Sequence, residues 1–160
     1  MALSPQGCHA SHPLEPLIRM SNPMPTAAEL LGSRRRVLVT GGAGFIGGAV
    51  VRRLLMESEA IVFNLDKMGY ASNLDSIEAV LDDLGPAAQG RHQLQELDLN
   101  DPAAVDAAVE AADPDLVMHL AAESHVDRSI SGPGVFINSN INGTFNLLQA
   151  VRSHYSRLGG

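Results

Sequence analysis

Three glycines spaced by three interrupt an apolar run and open a helical pattern, in Val37-Leu38-Val39-Thr40-Gly41-Gly42-Ala43-Gly44-Phe45-Ile46-Gly47. The pattern reads as a strand, a phosphate turn and a helix start. Glycine at Gly41 permits a tight turn, Gly44 lets backbone N–H groups approach a phosphate without a Cβ in the way, and Gly47 lets the helix pack close to the strand. A helix N-terminus adds unpaired N–H donors and the positive end of the helix dipole, which together suit a pyrophosphate. The chemistry this points to is the anchoring of a dinucleotide. The spacing Gly-x-x-Gly-x-x-Gly differs from the usual Gly-x-Gly-x-x-Gly, so the glycines alone also fit an ordinary strand-to-helix turn.

Asp66 lies nineteen positions after Gly47, at the end of the next apolar run. A carboxylate there can accept both hydroxyl protons of an adenosine ribose and repels a 2'-phosphate, which favours NAD over NADP; neighbouring Lys67 weakens that discrimination. The alternative for Asp66 is a plain turn residue. Asp98 ends a third run and has two readings, an acceptor for the adenine amino group or an exposed loop carboxylate beside Asn100 and Asp101. A fourth run leads into Ala121-Ala122-Glu123-Ser124-His125-Val126-Asp127-Arg128-Ser129, where small residues let a cofactor pass over the backbone and polar ones face a pocket. His119, inside that run, reads as a satisfied core histidine. His125 is a loop histidine without an identified partner, which is weak evidence for acid–base work. Asn138, Asn142, Asn146 and Gln149 form a stripe that reads as a solvated helix face.

Strands and helices must carry these residues, and they alternate from Arg36 onward. The expected elements are a strand at 36–40, a helix from Phe45 to Glu57, a strand at 60–65, a helix at 74–84 ending at Gly85-Pro86, and a strand at 92–98. Asn100 or Asp101 caps the next helix ahead of Pro102, and that helix ends before Asp113-Pro114. A strand at 116–120 follows, then a loop with Gly132-Pro133-Gly134, then a helix in which Ile137, Ile141, Phe145, Leu148 and Val151 follow the 3.6-residue period of an amphipathic face. This is an α/β chain with a Rossmann-type parallel sheet of about four strands, order 3-2-1-4, and helices on both faces. It amounts to slightly more than half of a doubly wound fold. Ligands of such sheets lie beyond the C-terminal strand ends, near the order reversal.

Composition agrees with that class. The chain has 160 residues, 45% of them apolar and 4% aromatic with no Trp, which suits Ala, Leu and Val packing of helices on a parallel sheet. Eighteen acidic against eleven basic residues give a net charge of -7, which argues against nucleic acid and anionic membranes as partners. Arg34-Arg35-Arg36, the only basic run, reads as a solvated flank. The single cysteine, Cys8, excludes an internal disulfide and fits a reducing, cytoplasmic setting. Neither a membrane span nor a signal peptide is legible, and Cys8, His9 and His12 lack a second ligand cluster, so no metal is expected. Residues 1–33 hold five prolines without sustained periodicity and are expected to form a mobile leader, with Met20 and Met24 as alternative starts. Residues 34–160 are then the N-terminal part of a cofactor-binding domain.

These residues together resemble the extended short-chain dehydrogenase/reductase family and, within it, the dTDP-glucose 4,6-dehydratases. The glycine motif, Asn64-Leu65-Asp66-Lys67, Tyr70-Ala71, Asn73-Leu74, the run from Met118 through Ile130, Gly132-Pro133, and Asn140 with Gly143-Thr144 carry the likeness, which extends from about Arg36 to Tyr155. The run Ala121 to Ser129 is the selective part. The resemblance implies NAD as cofactor, with Phe45 and Ile46 at the pyrophosphate; Asp66, Lys67, Met68 and Gly69 around the ribose; and Asp98 and Leu99 at the adenine. It also implies that Leu120, Ala121, Ala122, Glu123 and Ser124 line the cofactor, that Ser124 reaches the sugar nucleotide, and that Ser139 contacts the cofactor. Gly69 stands where relatives usually carry Thr, which removes one ribose-side hydroxyl, and Ser72 in place of a usual Gly reshapes or strains the same loop.

The family reaction converts dTDP-glucose to dTDP-4-keto-6-deoxyglucose and water through oxidation at C4, elimination across C5 and C6, and hydride return to C6. It is a lyase reaction of nucleotide-sugar metabolism and relies on Tyr-x-x-x-Lys and Thr-Asp-Glu signatures. Lys67 is the only lysine here, and neither Tyr70 nor Tyr155 has a lysine four positions on. No Asp-Glu dipeptide occurs either. No catalytic residue of that reaction is therefore identified, and the chain is expected to be an N-terminal fragment, inactive alone, with the C-terminal half and substrate domain missing. Two alternatives stay open: a free-standing, non-enzymatic NAD-binding module completed by a partner, and another nucleotide-sugar epimerase or dehydratase of the same family. The resemblance implies a homodimer for the complete protein.

Overall fold

The computed structural model describes residues 24–159. The proposed leader up to residue 23, with Cys8, His9, His12 and Met20, lies outside the described residues.

The first element corrects the leader's boundary. Thr26 opens a short helix α1 (Ala27–Leu31) through a capping box, its Oγ1 accepting from Glu29 N while Glu29 Oε2 accepts from Thr26 N at 2.8 Å. Ala27 and Leu31 are buried against the core, Glu57 Oε2 accepts from Ala27 N at 2.8 Å, and Arg53 Nη2 donates to Pro25 O at 2.7 Å. Residues 25–31 thus belong to the folded unit. Thr-Ala-Ala-Glu is a legible helix start that proline content concealed.

The order is then β1 (Arg36–Thr40), α2 (Phe45–Glu57), β2 (Ile61–Asp66), α3 (Asp75–Leu84), α4 (Pro86–Gln89), β3 (His92–Glu96), α5 (Pro102–Ala112) and β4 (Leu116–His119). Beyond β4 come α6 (Val126–Ser131), α7 (Pro133–Ile137), a π-helical turn at Asn138–Asn142 and α8 (Gly143–Arg157). All strand pairs are parallel and the sheet order is β3-β2-β1-β4, as the alternation predicts. Val39 stands opposite Asn64 on one side and Met118 on the other.

Val37, Leu38 and Val39 have no exposed surface, because β1 is covered on both faces. Val37, Val39 and Val62 pack with Val51, Leu54 and Leu55 of α2 and Ile77 and Leu81 of α3. Leu38, Phe63 and Leu65 pack on the other face with Val105, Ala108 and Val109 of α5 and Leu147 and Ala150 of α8. Asp115 fixes β4 to β1, its Oδ2 accepting from Arg35 N at 2.7 Å and Arg36 N at 2.8 Å, which holds the carboxyl below the usual carboxylate range. Arg36 is more than a solvated flank. Its Nε donates to Ala112 O at 2.7 Å, closing the end of α5, and its guanidinium lies 4.7 Å from the Phe63 ring centre.

Other boundaries differ from the sequence reading for local reasons. β3 stops at Glu96, two residues early, although Leu97 N still donates to Asp66 O at 3.1 Å. Asp101 caps α5, with Oδ1 accepting from Ala103 N and Ala104 N, both at 3.1 Å. Gly132-Pro133-Gly134 breaks two short helices apart instead of lying in an open loop, since Pro133 occupies the first position of α7. The last helix is rotated from expectation. Ile137, Ile141, Phe145 and Leu148 are exposed, whereas Gly143, Leu147, Ala150 and His154 are buried. Small residues on that second face allow α8 to approach closely, and Asn146 Nδ2 donates to Leu99 O at 2.8 Å instead of facing solvent.

Candidate dinucleotide-binding site

A crevice of about 400 Å³ opens at the C-terminal ends of the four strands. Its floor is the glycine turn. Gly41 takes φ +70°, its N–H donates to Leu65 O at 2.8 Å, and its carbonyl accepts from Gly44 N at 3.0 Å. A Cβ on Gly41 would lie 2.6 Å from Ala121 Cα, so the turn and the β4 loop touch through backbone. A Cβ on Gly47 would overlap the Gly41 carbonyl, with the carbonyl carbon at 2.7 Å. The helix therefore rests on the turn itself, where the sequence suggested the strand. Gly42 is equally constrained, since a Cβ there would lie 2.6 Å from Cγ of buried Asn64. Spacing by three did not reveal it. No side chain caps α2, so the N–H groups of Phe45, Ile46 and Gly47 have no intrahelical acceptor where these residues line the crevice.

Asp66, only 8% exposed, joins three segments. Its Oδ2 accepts from Ala43 N at 3.0 Å, and its Oδ1 accepts from Met68 N at 2.9 Å and from Ser72 Oγ at 2.8 Å. A carboxylate offers about four acceptor positions, so the chain itself fills all but about one. One acceptor position on Asp66 then stays open to a donor from outside the chain. Ser72 is here a ligand of Asp66, and Asn73 N donates to Ala43 O at 2.8 Å, so the loop after β2 is stitched to the glycine turn.

The β4 side is held by a chain of hydroxyls, an imidazole and an amide. Thr40 Oγ1 accepts from Leu120 N and Ala121 N, both at 3.2 Å, and lies 2.6 Å from His119 Nδ1. His119 Nε2 lies 2.9 Å from Thr144 Oγ1, whose hydroxyl donates to Asn140 O at 2.8 Å. One proton arrangement satisfies every group: the Thr40 hydroxyl donates to Nδ1, and Nε2–H donates to Thr144. His119 is thus neutral and satisfied, and burial pushes its pKa below the ordinary histidine value. Asn140 completes the frame, its Nδ2 donating to Glu123 O at 2.9 Å and its Oδ1 accepting from Glu123 N at 2.8 Å.

The fold brings Gly41, Gly44, Phe45, Ile46 and Gly47 to one crevice with Asp66, Lys67, Gly69, Asp98 and Leu99, and with Leu120, Ala121, Ala122, Glu123, Ser124 and Ser139. Met68 does not line it. Met68 has a positive φ of 52° and is used through its N–H on Asp66. Asp98 sits at the rim, with Oδ1 accepting from Asn100 N and Nδ2, both at 2.9 Å. Sequence reasoning from residue types passed over Leu65, Tyr70 and Leu97, which also line the crevice, and Thr40, Asn64 and Asn140, which support it. Only their contacts across the fold distinguish these from ordinary strand and helix positions. Two further contacts cross the mouth from the β2 side to the β4 side: Lys67 Nζ to Glu123 Oε1 at 2.5 Å, and Arg128 Cζ over the Tyr70 ring at 3.8 Å. Among the described residues no group of histidine, cysteine and acidic side chains could hold a metal, and no helix is long and apolar enough to cross a membrane.

Parallel order 3-2-1-4, a glycine turn opening α2 and a buried acid ending β2 define the N-terminal half of a Rossmann-type, dinucleotide-binding architecture. The chain belongs to the GDP-mannose 4,6 dehydratase family, whose model matches residues 38–158. It is 48% identical over 124 residues to dTDP-glucose 4,6-dehydratase of Neisseria meningitidis, and 46% identical to that of Salmonella typhimurium. Each match takes in 78% of this chain but 33% of the relative, so the chain spans about a third of the length of these curated proteins. Among solved structures, UDP-glucose-4-epimerase of Stenotrophomonas maltophila with bound NAD matches with TM-score 0.64 and 28% identity, covering 75% of this chain and 34% of that one. dTDP-glucose 4,6-dehydratase of Bacillus anthracis in complex with NAD matches with TM-score 0.60 and 26% identity, covering 75% and 34%.

Proposed function

We propose that this chain is the NAD-anchoring N-terminal part of a dTDP-glucose 4,6-dehydratase, a cytoplasmic, nucleotide-sugar-converting lyase. The observation that carries the reading is the crevice in which the uncapped first turn of α2, the glycine turn and Asp66 meet at the strand ends. Its donor set suits the cofactor. N–H groups of Phe45, Ile46 and Gly47 would take the pyrophosphate, the remaining acceptor position of Asp66 one ribose hydroxyl, and Asp98 and Leu99 the adenine edge. Leu120 to Ser124, with Ser139, would border the rest of the cofactor, and Ser124 the sugar nucleotide. Bound NAD would supply a hydride acceptor and donor for the complete protein's sugar substrate. The chain's own part is binding and orientation, since its single lysine does not stand four residues after a tyrosine.

The relatives' names support dTDP-glucose as the substrate class of the complete protein. Exposed Ile137, Ile141, Phe145 and Leu148 supply an apolar face of the kind a homodimer covers. Calorimetric titration of the purified chain with NAD+, with its mass in solution read on the same sample, tests the reading. Saturable binding of one NAD+ per chain, abolished in Asp66→Ala, is expected. Absence of heat from a folded chain, or undiminished binding by the variant, would overturn it.

A further inference from the structure

We infer that Glu123 is a specificity-determining residue, which holds the Lys67 ammonium away from a ribose 2'-phosphate and so makes the crevice select NAD over NADP. The inference rests on the NAD reading above and adds to it a residue that works through its neighbour. Lys67 directly follows Asp66, the acid at the ribose position, and among the described residues is the only cation lining the crevice, against three carboxylates in Asp66, Asp98 and Glu123. Left to itself, a lysine at that position neutralises an added phosphate. It is not left to itself: its Nζ lies 2.5 Å from Glu123 Oε1.

The geometry makes Glu123 the controlling member of the pair. Its side chain is 12% exposed against 39% for Lys67, so the carboxylate has little water to fall back on and needs its cation. Asn140 clamps the Glu123 backbone at both its N–H and its carbonyl, so the carboxylate is presented from a fixed point. Arg128, a further cation on the following helix α6, is occupied over the Tyr70 ring. A 2'-phosphate adds about two negative charges beside Asp66, and among the described residues lining the crevice no free cation meets them. Neutralising Glu123 releases Lys67 one residue from where that phosphate would sit.

The test titrates wild type, Glu123→Gln, Glu123→Asp and the double variant Glu123→Gln with Lys67→Met, each with NAD+ and with NADP+, at two salt concentrations. Glu123→Gln is expected to raise the NADP+ to NAD+ affinity ratio about fivefold, with the gain shrinking at high salt. Glu123→Asp, shorter by one methylene but still charged, moves the ratio the same way by less. The double variant returns the ratio to the wild-type value, because the gain comes from the released cation. An unchanged ratio in Glu123→Gln or Glu123→Asp with NAD+ binding retained would overturn the inference and leave the NAD reading standing. So would an equal gain in the double variant, which would assign the effect to lost carboxylate repulsion. A wild-type chain that binds neither nucleotide overturns the NAD reading first, and the inference with it.

Discussion

Replacing Gly47 by alanine tests whether the glycine turn and α2 are one rigid unit. The added Cβ would stand 2.7 Å from the Gly41 carbonyl carbon and 2.8 Å from Gly42 Cα, closer than real Cβ contacts come. Both are backbone atoms, so no side-chain rotation relieves the clash and α2 must lift from the turn. Overpacking of this kind costs about 1–3 kcal/mol, and an immovable neighbour argues for about 3. Alanine's advantage over glycine within a helix returns about 0.5–1 kcal/mol, leaving a net loss of about 2. For a chain of this length that lowers the melting temperature by about 4–8 °C. Gly90→Ala is the control, because Gly90 has φ -79° and open space around its Cβ position. It should stabilise by about 0.4–1 kcal/mol through the unfolded state. Circular-dichroism melts compare the three proteins, and calorimetry follows NAD+. Gly47→Ala melting at or above wild type would refute the steric reasoning. Lowered stability with undiminished NAD+ affinity would refute the turn's role in anchoring.

Acid should weaken the fold in two windows. Burial pushes His92 and His119 below the ordinary histidine value of about 6.5, so their contribution is complete above that pH and is lost as pH falls through the lowered native values. Melts between about pH 7.5 and 5.5 should therefore fall, and less steeply in His92→Gln; equal slopes would contradict the assignment. Glu29, Glu57 and Asp115 are held below the usual carboxylate range by hydrogen bonds, so their share is lost only as pH falls below about 4.5. Asp101→Ala removes the cap on Ala103 N and Ala104 N and should cost about 1 kcal/mol, visible as a lower urea midpoint with an unaltered slope.

Much of the frame was legible because local rules and global packing agree there. The apolar run at Val37 to Val39 can only be a strand covered on both faces, Phe45–Glu57 follows a helical period, and Asp101-Pro102 is a cap followed by a first-turn proline. The last helical stretch departs from expectation for a physical reason. From Ile137 into α8 the sequence carries two faces able to pack, and Ile137, Ile141, Phe145 and Leu148 form the more apolar one. The buried one is that of Gly143, Leu147 and Ala150, where a Cβ on Gly143 would come within 3.0 Å of Leu99 Cβ. Helix α1 was concealed by prolines upstream of a readable capping box.

By itself the sequence determined the strand order, the turn that opens α2, and which residue types gather at the strand ends. Those follow from periodicity, glycine geometry and the handedness of parallel crossovers, all of which act over short stretches of chain. Tertiary structure alone decided how the gathered groups are already engaged. Asp66 is mostly filled by Ala43, Met68 and Ser72, His119 is closed between Thr40 and Thr144, and Lys67 is taken by Glu123. Such pairings join residues up to 79 positions apart and depend on which lone pair or proton remains free, a property of the folded arrangement and not of any residue's type.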